Sequence, residues 1–239
     1  MTNMRVDPHT TGSIMHVMKR GARGMEIVRD KQDCYNFARS LYLLNDMHQE
    51  NDWRTYVVGK PLFYRPESWP KRVPLVSILA WTLLDNHFHL LLQELEAGGI
   101  AKFMQRLGGS MTLSFNEKYG ERGSIFQGGY RGRVVETDEY LQYVHAYITV
   151  KNTFEMYQGG LKRALAQFEK AWVFAGMYPF TSFLTAATGA SSPLLDMNAI
   201  DSLGLIRKDF KKYARSMLAT HVKTKEIKDD IVSLIIEKW

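Results

Sequence analysis

The chain has 239 residues, a formal net charge of +6, and a hydrophobic fraction of 45% with 12% aromatics, enough apolar mass for one large domain or one domain with an appendage. No stretch reaches the roughly 18 unbroken apolar residues of a membrane span, and Met1 to Ser13 lacks the apolar run of a secretory signal, so a soluble cytoplasmic protein is expected. The single cysteine, Cys34, excludes an intramolecular disulfide and a cysteine-based zinc knuckle, while the basic balance fits a polyanion partner.

In chain order, residues 1–12 read as a flexible tail. Ser13 to Lys19 alternates in the manner of a first strand and runs into the basic glycine turn Arg20-Gly-Ala-Arg23-Gly24. Asp30 precedes a helical pattern in which Tyr35, Phe37, Ala38, Leu41, Tyr42 and Leu44 recur at three-to-four spacing. Residues 49–75, with four prolines, predict a loop or extended excursion with a short strand at Arg54 to Val58. Trp81-Thr-Leu-Leu-Asp-Asn-His87-Phe-His89-Leu-Leu-Leu-Gln93 has strand character, broken at Asp85-Asn86.

After Gly98-Gly99, the apolar spacing predicts a helix over 100–118. A turn follows at Tyr119–Gly123, then short strands at Ser124 to Gly128 and Tyr130 to Glu136. Thr137-Asp138-Glu139 starts a helix over 138–151, with Thr as N-cap and acids in the first turn. Residues 161–200 predict short helices in irregular chain, and 203–239 a charged helical region. The order suits a ferredoxin-like α+β fold, an RRM-like antiparallel sheet with helices on it, plus a mainly helical C-terminal extension. The expected units are 13–158 and 159–239.

Two features carry chemistry. Side chains alternate along a strand, so His87 and His89 share one face about 7 Å apart and can both reach one divalent cation. On the 138–151 helix, Leu141, Val144 and Ile148 form the core-facing arc at about 100° per residue, leaving Tyr140, Tyr147 and Lys151 at its edge, where a ring packs while its hydroxyl faces a cleft. His16 and His145 read as structural.

Asp85-Asn-His-Phe-His-Leu-Leu-Leu resembles the Pro-Asn-His-x-His-Leu-Leu signature of the REP-associated tyrosine transposases, members of the HUH single-strand nucleases that include insertion-sequence transposases. Met18-Lys-Arg-Gly21, Phe103-Met-Gln-Arg106, Phe115-Asn116, Tyr119-Gly120, Arg122-Gly123, Ile125-Phe126-Gln127-Gly128, Tyr130-Arg131 and Tyr140-Leu141 fall in the family's order. Tyr178-Pro-Phe-Thr-Ser-Phe183 and Ser192-Pro193-Leu195-Asp196 resemble its C-terminal trailer, so the likeness spans about 14–200.

The resemblance implies a metal-dependent enzyme that cleaves and rejoins single-stranded DNA near hairpins. Mg²⁺ or Mn²⁺ on His87 and His89 would polarise the scissile phosphate. Tyr147 matches the family nucleophile and would form a 5′-phosphotyrosine that a 3′-hydroxyl can resolve.

Where the family has Asn-Pro, this chain has Lys151-Asn152, and a protonated lysine cannot ligate. Three accounts are open. Asn152 ligates from a shifted register; Lys151 pairs with the scissile phosphate and helps ionise Tyr147; or the metal site is damaged and the protein is a domesticated, non-cleaving binder of hairpin DNA or RNA. Gly129 also stands where the family usually has Arg.

Candidate DNA contacts are Lys19, Arg20, Arg23, Arg106, Arg122, Arg131 and Arg133, with Phe126, Tyr130 and Trp81 as base-stacking candidates. The expected partner is single-stranded or hairpin DNA, with no membrane and with a homodimer open, since some relatives exchange the tyrosine helix between subunits. The expected setting is a bacterial cytoplasm, at the nucleoid while acting.

Overall fold

The computed structural model describes residues 6–236, with side chains described as far as Thr224. Four strands form one antiparallel sheet in the order β2-β3-β1-β4: β1 Ile14–Arg20, β2 Val76–Leu84, β3 His87–Glu94 and β4 Arg131–Val134. The break at Asp85-Asn86 is a two-residue hairpin turn between β2 and β3, followed at once by the histidine strand. As expected for an α+β fold of this type, helices lie on the sheet.

Register decides what each face carries. Thr82, His89 and Met18 lie opposite one another across three strands, as do Leu84, His87 and Arg20, and His16 pairs with Leu91 and Arg133. With side chains alternating, one face holds His16, Met18, Arg20, His87, His89, Arg131 and Arg133. The other holds Met15, Val17, Phe88, Leu90 and Leu92, all fully buried.

Helices α1 (Lys31–Leu44) and α3 (Gly99–Tyr119) cover the apolar face. The Phe37 ring of α1 lies 5.0 Å from Phe88 and 6.0 Å from Trp81. Asp30 caps α1 by accepting from the Asp33 amide, which satisfies one of the orphan donors of the first turn. Lys118 of α3 then binds the carboxylates of Asp30 and Asp33, tying the two helices together.

The excursion between α1 and β2 is helical where a strand was expected. Trp53–Tyr56 forms a short helix, α2. Trp53 and Val57 are both buried, and their spacing of four fits one side of a helical turn as well as one face of a strand. A buried ion pair of Asp46 and Arg65 at 2.8 Å and the Arg39 guanidinium on the carbonyls of Val57, Lys60 and Leu62 hold this loop. Residues 124–128 form only a single bridge, Gly21 with Phe126, rather than a strand. The N-terminal stretch is attached from Val6 onward: Val6 bridges Gly132, and Asp7 accepts from Arg133 and from the Val134 amide.

On the histidine face, α4 (Asp138–Ala146) begins at the Thr137 N-cap, passes through a π-helical turn at Tyr147–Lys151 and continues as α5 (Asn152–Glu155). Leu141, Val144 and Ile148 join the sheet core, whereas Ala146, Val150 and Phe154 join a second apolar cluster with Phe168, Ala171, Phe183, Phe210 and Leu218. That cluster is built from α6 (Gly160–Ala166), α7 (Phe168–Met177), α8 (Phe183–Thr188) and α10 (Phe210–Ile236); α9 (Met197–Ser202) packs at β2. The tyrosine helix is therefore held on two sides. The outer edge of β2 is covered as well, since Leu83 donates to the Phe180 carbonyl and the Trp81 amide to Ser182 Oγ, leaving no bare strand edge there.

Candidate functional site

The histidine pair is positioned by the hairpin and by the basic glycine turn facing it. Gly21 donates its amide to the Asn86 carbonyl, and a Cβ at Gly21 would stand 2.1 Å from the Met25 carbonyl oxygen, so only glycine fits. Arg23 adopts a positive φ of 54° and Gly24 one of 77°. The Gly24 carbonyl thereby receives the Asn86 side-chain N–H. With that nitrogen spent, Asn86 Oδ1 is the atom 2.6 Å from His87 Nδ1. An amide oxygen only accepts, so His87 Nδ1 carries the proton and Nε2 keeps its lone pair.

His89 is held in a parallel way. His16 Nε2 lies 2.8 Å from His89 Nδ1, with the rings stacked at 5.1 Å. When His89 Nδ1 donates, its Nε2 is left with a lone pair too. The His87 and His89 rings are 5.1 Å apart. Burial pushes His87 and His89 below the ordinary imidazole value and His16 down to about 4. All three are neutral near pH 7, the state in which an imidazole can ligate a cation.

Tyr147 meets this cluster. Its ring lies 5.7 Å from His89 and 6.0 Å from His16. The π turn sets its placement. The Asn152 amide reaches back to the Tyr147 carbonyl, an i to i+5 bond, while the Ile148 carbonyl is bound by the Thr82 hydroxyl of β2. A π turn inserts one extra residue into the helical repeat. Thr82 also meets Thr181 Oγ1 at 3.1 Å, and Thr181 meets Thr153 at 2.7 Å, so a buried hydroxyl chain clamps the helix to the sheet.

Lys151 does not dangle into solvent. Its Nζ is 2.6 Å from Glu155 Oε2 and 5.1 Å above the Tyr147 ring. Both Lys151 and Glu155 act electrostatically on His87. Asn152 is fully buried, and its amide oxygen and nitrogen both lack a hydrogen-bond partner. Such a group is costly unless something meets it. Among the described residues no three His, Cys, Asp or Glu side chains group as a metal site. The two neutral imidazoles suit a divalent cation of borderline softness, and the buried orphan amide of Asn152 lies on the helical turn that follows Tyr147.

Beside the histidines a groove of about 800 Å³ is lined by His16, Met18, Arg20, Arg23, Arg131 and Arg133. Four of the expected DNA-contacting arginines therefore converge on the histidine face. Others do not. Lys19 points to the opposite face, its Nζ donating to the Gly128 carbonyl and lying 4.8 Å over the Phe126 ring. Phe126 and Trp81 are buried and pack on Phe88 and Phe37, so neither offers a ring to a base. Arg106 lies on α3 behind the sheet and donates to the Asp46 carbonyl. Arg122 is exposed in the turn after α3, and Tyr130 is half-buried ahead of β4, both outside the groove lining.

Sequence reasoning missed His16, Asn86 and Glu155. His16 sat in a correctly placed strand, but its meeting with His89 depends on strand register. Asn86 lay inside the quoted motif, and its spacing from His87 was the available signal.

The site and sheet together define a histidine–tyrosine centre on an α+β fold with a basic groove. Residues 74–151, which include β2, β3, β4, Tyr147 and Lys151, match the family described as "Transposase IS200 like". The chain as a whole resembles the REP-associated tyrosine transposases, as its motifs indicate. Among solved structures, that of a REP-associated tyrosine transposase bound to a REP hairpin is similar at 12% identity and a TM-score of 0.46, covering 82% of this chain and 92% of that one. No curated protein sequence matches the chain. No helix among the described residues is long and apolar enough to cross a membrane.

Proposed function

We propose that this protein is a metal-dependent tyrosine transposase or nuclease that cleaves and rejoins single-stranded DNA at or near hairpins. The observation that carries the reading is the Tyr147 ring packed 5.7 Å from His89, beside two imidazoles whose Nδ1 atoms are held by Asn86 and His16. His87, His89 and Asn152 would hold Mg²⁺ or Mn²⁺, which supplies polarisation of a scissile phosphate when bound. The orphan amide of Asn152 supports the shifted-register account, since the π turn lengthens the step from Tyr147 by one residue.

The remaining steps belong to the chain's own residues. Arg20, Arg23, Arg131 and Arg133 orient the phosphate backbone along the groove. The Tyr147 hydroxyl loses its proton to solvent and attacks phosphorus; the oxygen–phosphorus bond to Tyr147 forms as the bond to the 3′ oxygen breaks, and that oxygen leaves to become a 3′-hydroxyl. Lys151, above the Tyr147 ring, offsets the negative charge that develops there. Attack by a second 3′-hydroxyl reverses the bond changes and joins strands. On this reading residues 13–158 carry the chemistry and 159–239 brace the tyrosine helix.

The test is cleavage of end-labelled single-stranded hairpin oligonucleotides taken from sequence flanking the gene, with Mn²⁺. Products that depend on the metal and vanish in Tyr147→Phe support the reading. One observation favours the second reading, a non-cleaving hairpin binder: the Lys151–Glu155 ion pair stands beside the histidines. Tight hairpin binding without products in any metal would select it.

A further inference from the structure

Two large aromatics on α4 remain uncovered. Tyr140 and Tyr143 are 40% and 45% exposed, although each side chain carries a ring that ordinarily packs. They are not scattered. The Tyr140 and Tyr143 rings lie 6.3 Å apart with planes 15° from parallel, and Tyr143 lies 6.3 Å from Tyr147 at 34°. Spacings of three and four keep the three rings on one side of the helix. The row ends at the histidine cluster and starts in solvent.

A basic element runs beside it. Gln142 donates to the Gly204 carbonyl, so the loop leading to α10 lies against α4. Tyr213 of α10 is close enough to Tyr143 to act on its hydroxyl electrostatically, and Arg207 covers the Tyr213 ring at 4.4 Å. Lys208 just before α10 and Lys212 in its first turn are exposed, while Lys211 pairs with Glu169 and Arg215 lies over the Phe168 ring, both on α7. Of this charged stretch, Arg207 is the cation tied to the exposed rings, through Tyr213.

Resting on the strand-cleaving reading, we infer that Tyr140 and Tyr143 form a base-stacking track that carries unpaired DNA bases to Tyr147, with Arg207, over the neighbouring Tyr213 ring, taking a backbone phosphate. Aromatic rings beside cations are how proteins hold unpaired strands without sequence readout. The track is built from α4 and α10, whereas the arginine groove is built from β1, β4 and the turns beside them.

The experiment uses the full chain and a hairpin oligonucleotide with oligo-dT flanks, in which 2-aminopurine replaces each flanking base in turn. Stacking on a tyrosine quenches that fluorophore. The expected result is quenching at one or more positions that Tyr143→Phe keeps and that Tyr140→Ala with Tyr143→Ala abolishes, with at least a tenfold loss of affinity for the unpaired flank. Unchanged quenching and affinity in the double alanine variant would overturn the track. Tyr147 adduct formation, read in the same samples, separates the two ideas: an adduct with no track-dependent quenching overturns the track alone, and track-dependent quenching with no adduct overturns the cleaving reading while supporting the track. Thermal unfolding of the double variant within a few degrees of the wild type shows that lost quenching is not lost folding.

Discussion

His16 on β1 meets His89 on β3 through a 2.8 Å nitrogen–nitrogen hydrogen bond, so one nitrogen of His89 is committed and only Nε2 faces anything else. Partners of this kind set the orientation and tautomer of a ligating imidazole, and their loss typically costs 10–100-fold in metal affinity. His16→Leu is expected to weaken Mn²⁺ binding by about that factor in titration calorimetry, with His16→Gln recovering part of it. Equal affinity in all three proteins would reduce His16 to packing.

Lys151 stands 5.1 Å over the Tyr147 ring. If it offsets charge in the transition state, Lys151→Met lowers the strand-cleavage rate at least tenfold, about 1.4 kcal/mol, while hairpin affinity changes little. Single-turnover cleavage beside a binding titration makes the comparison. A loss confined to binding would assign Lys151 to the ground state.

The arginine groove predicts a salt signature. Arg131 is exposed on β4 and lines the groove. Arg131→Ala should weaken single-strand binding and flatten the log–log salt dependence by roughly 0.7 for the one phosphate contact removed. Arg106→Ala, behind the sheet, should leave the slope alone. Identical slopes in wild type and Arg131→Ala would remove the groove from the interface.

His145 is buried, and burial lowers its imidazole from the ordinary 6.5 to about 4. Its folded form holds the neutral ring, so the unfolded chain binds more protons between those values and stability falls as pH drops from 6.5 towards 4. The full span corresponds to about 3 kcal/mol. In urea titrations across that window His145→Leu should lose less stability than the wild type; equal slopes would contradict the burial account. His16 and His89 contribute in the same sense, so a residual slope is expected.

The elements set by strong periodicity were legible. Phe37, Ala38 and Leu41 marked α1, Ile100 to Phe115 marked α3, and Thr137 marked the start of α4, because caps and helical spacing are local. The alternation in Trp81 to Gln93 placed both histidines on one face. What failed was non-local. Lys19 and Phe126 belong to the opposite face from Arg20, a matter of strand parity and of where a bridge falls. Trp53 and Val57 read equally as strand or helix over so short a run. The π turn was invisible, since it rests on Thr82, 66 residues before Ile148, taking that residue's carbonyl.

The most direct test of the central claim is the covalent bond itself. The protein is incubated with single-stranded hairpin DNA and Mn²⁺, denatured, and resolved on a protein gel, with mass spectrometry of the tyrosine peptide. The account predicts a slower-migrating DNA adduct on Tyr147 that is absent in Tyr147→Phe and in EDTA. Hairpin binding with no adduct under any metal, or an adduct on a different residue, would contradict it.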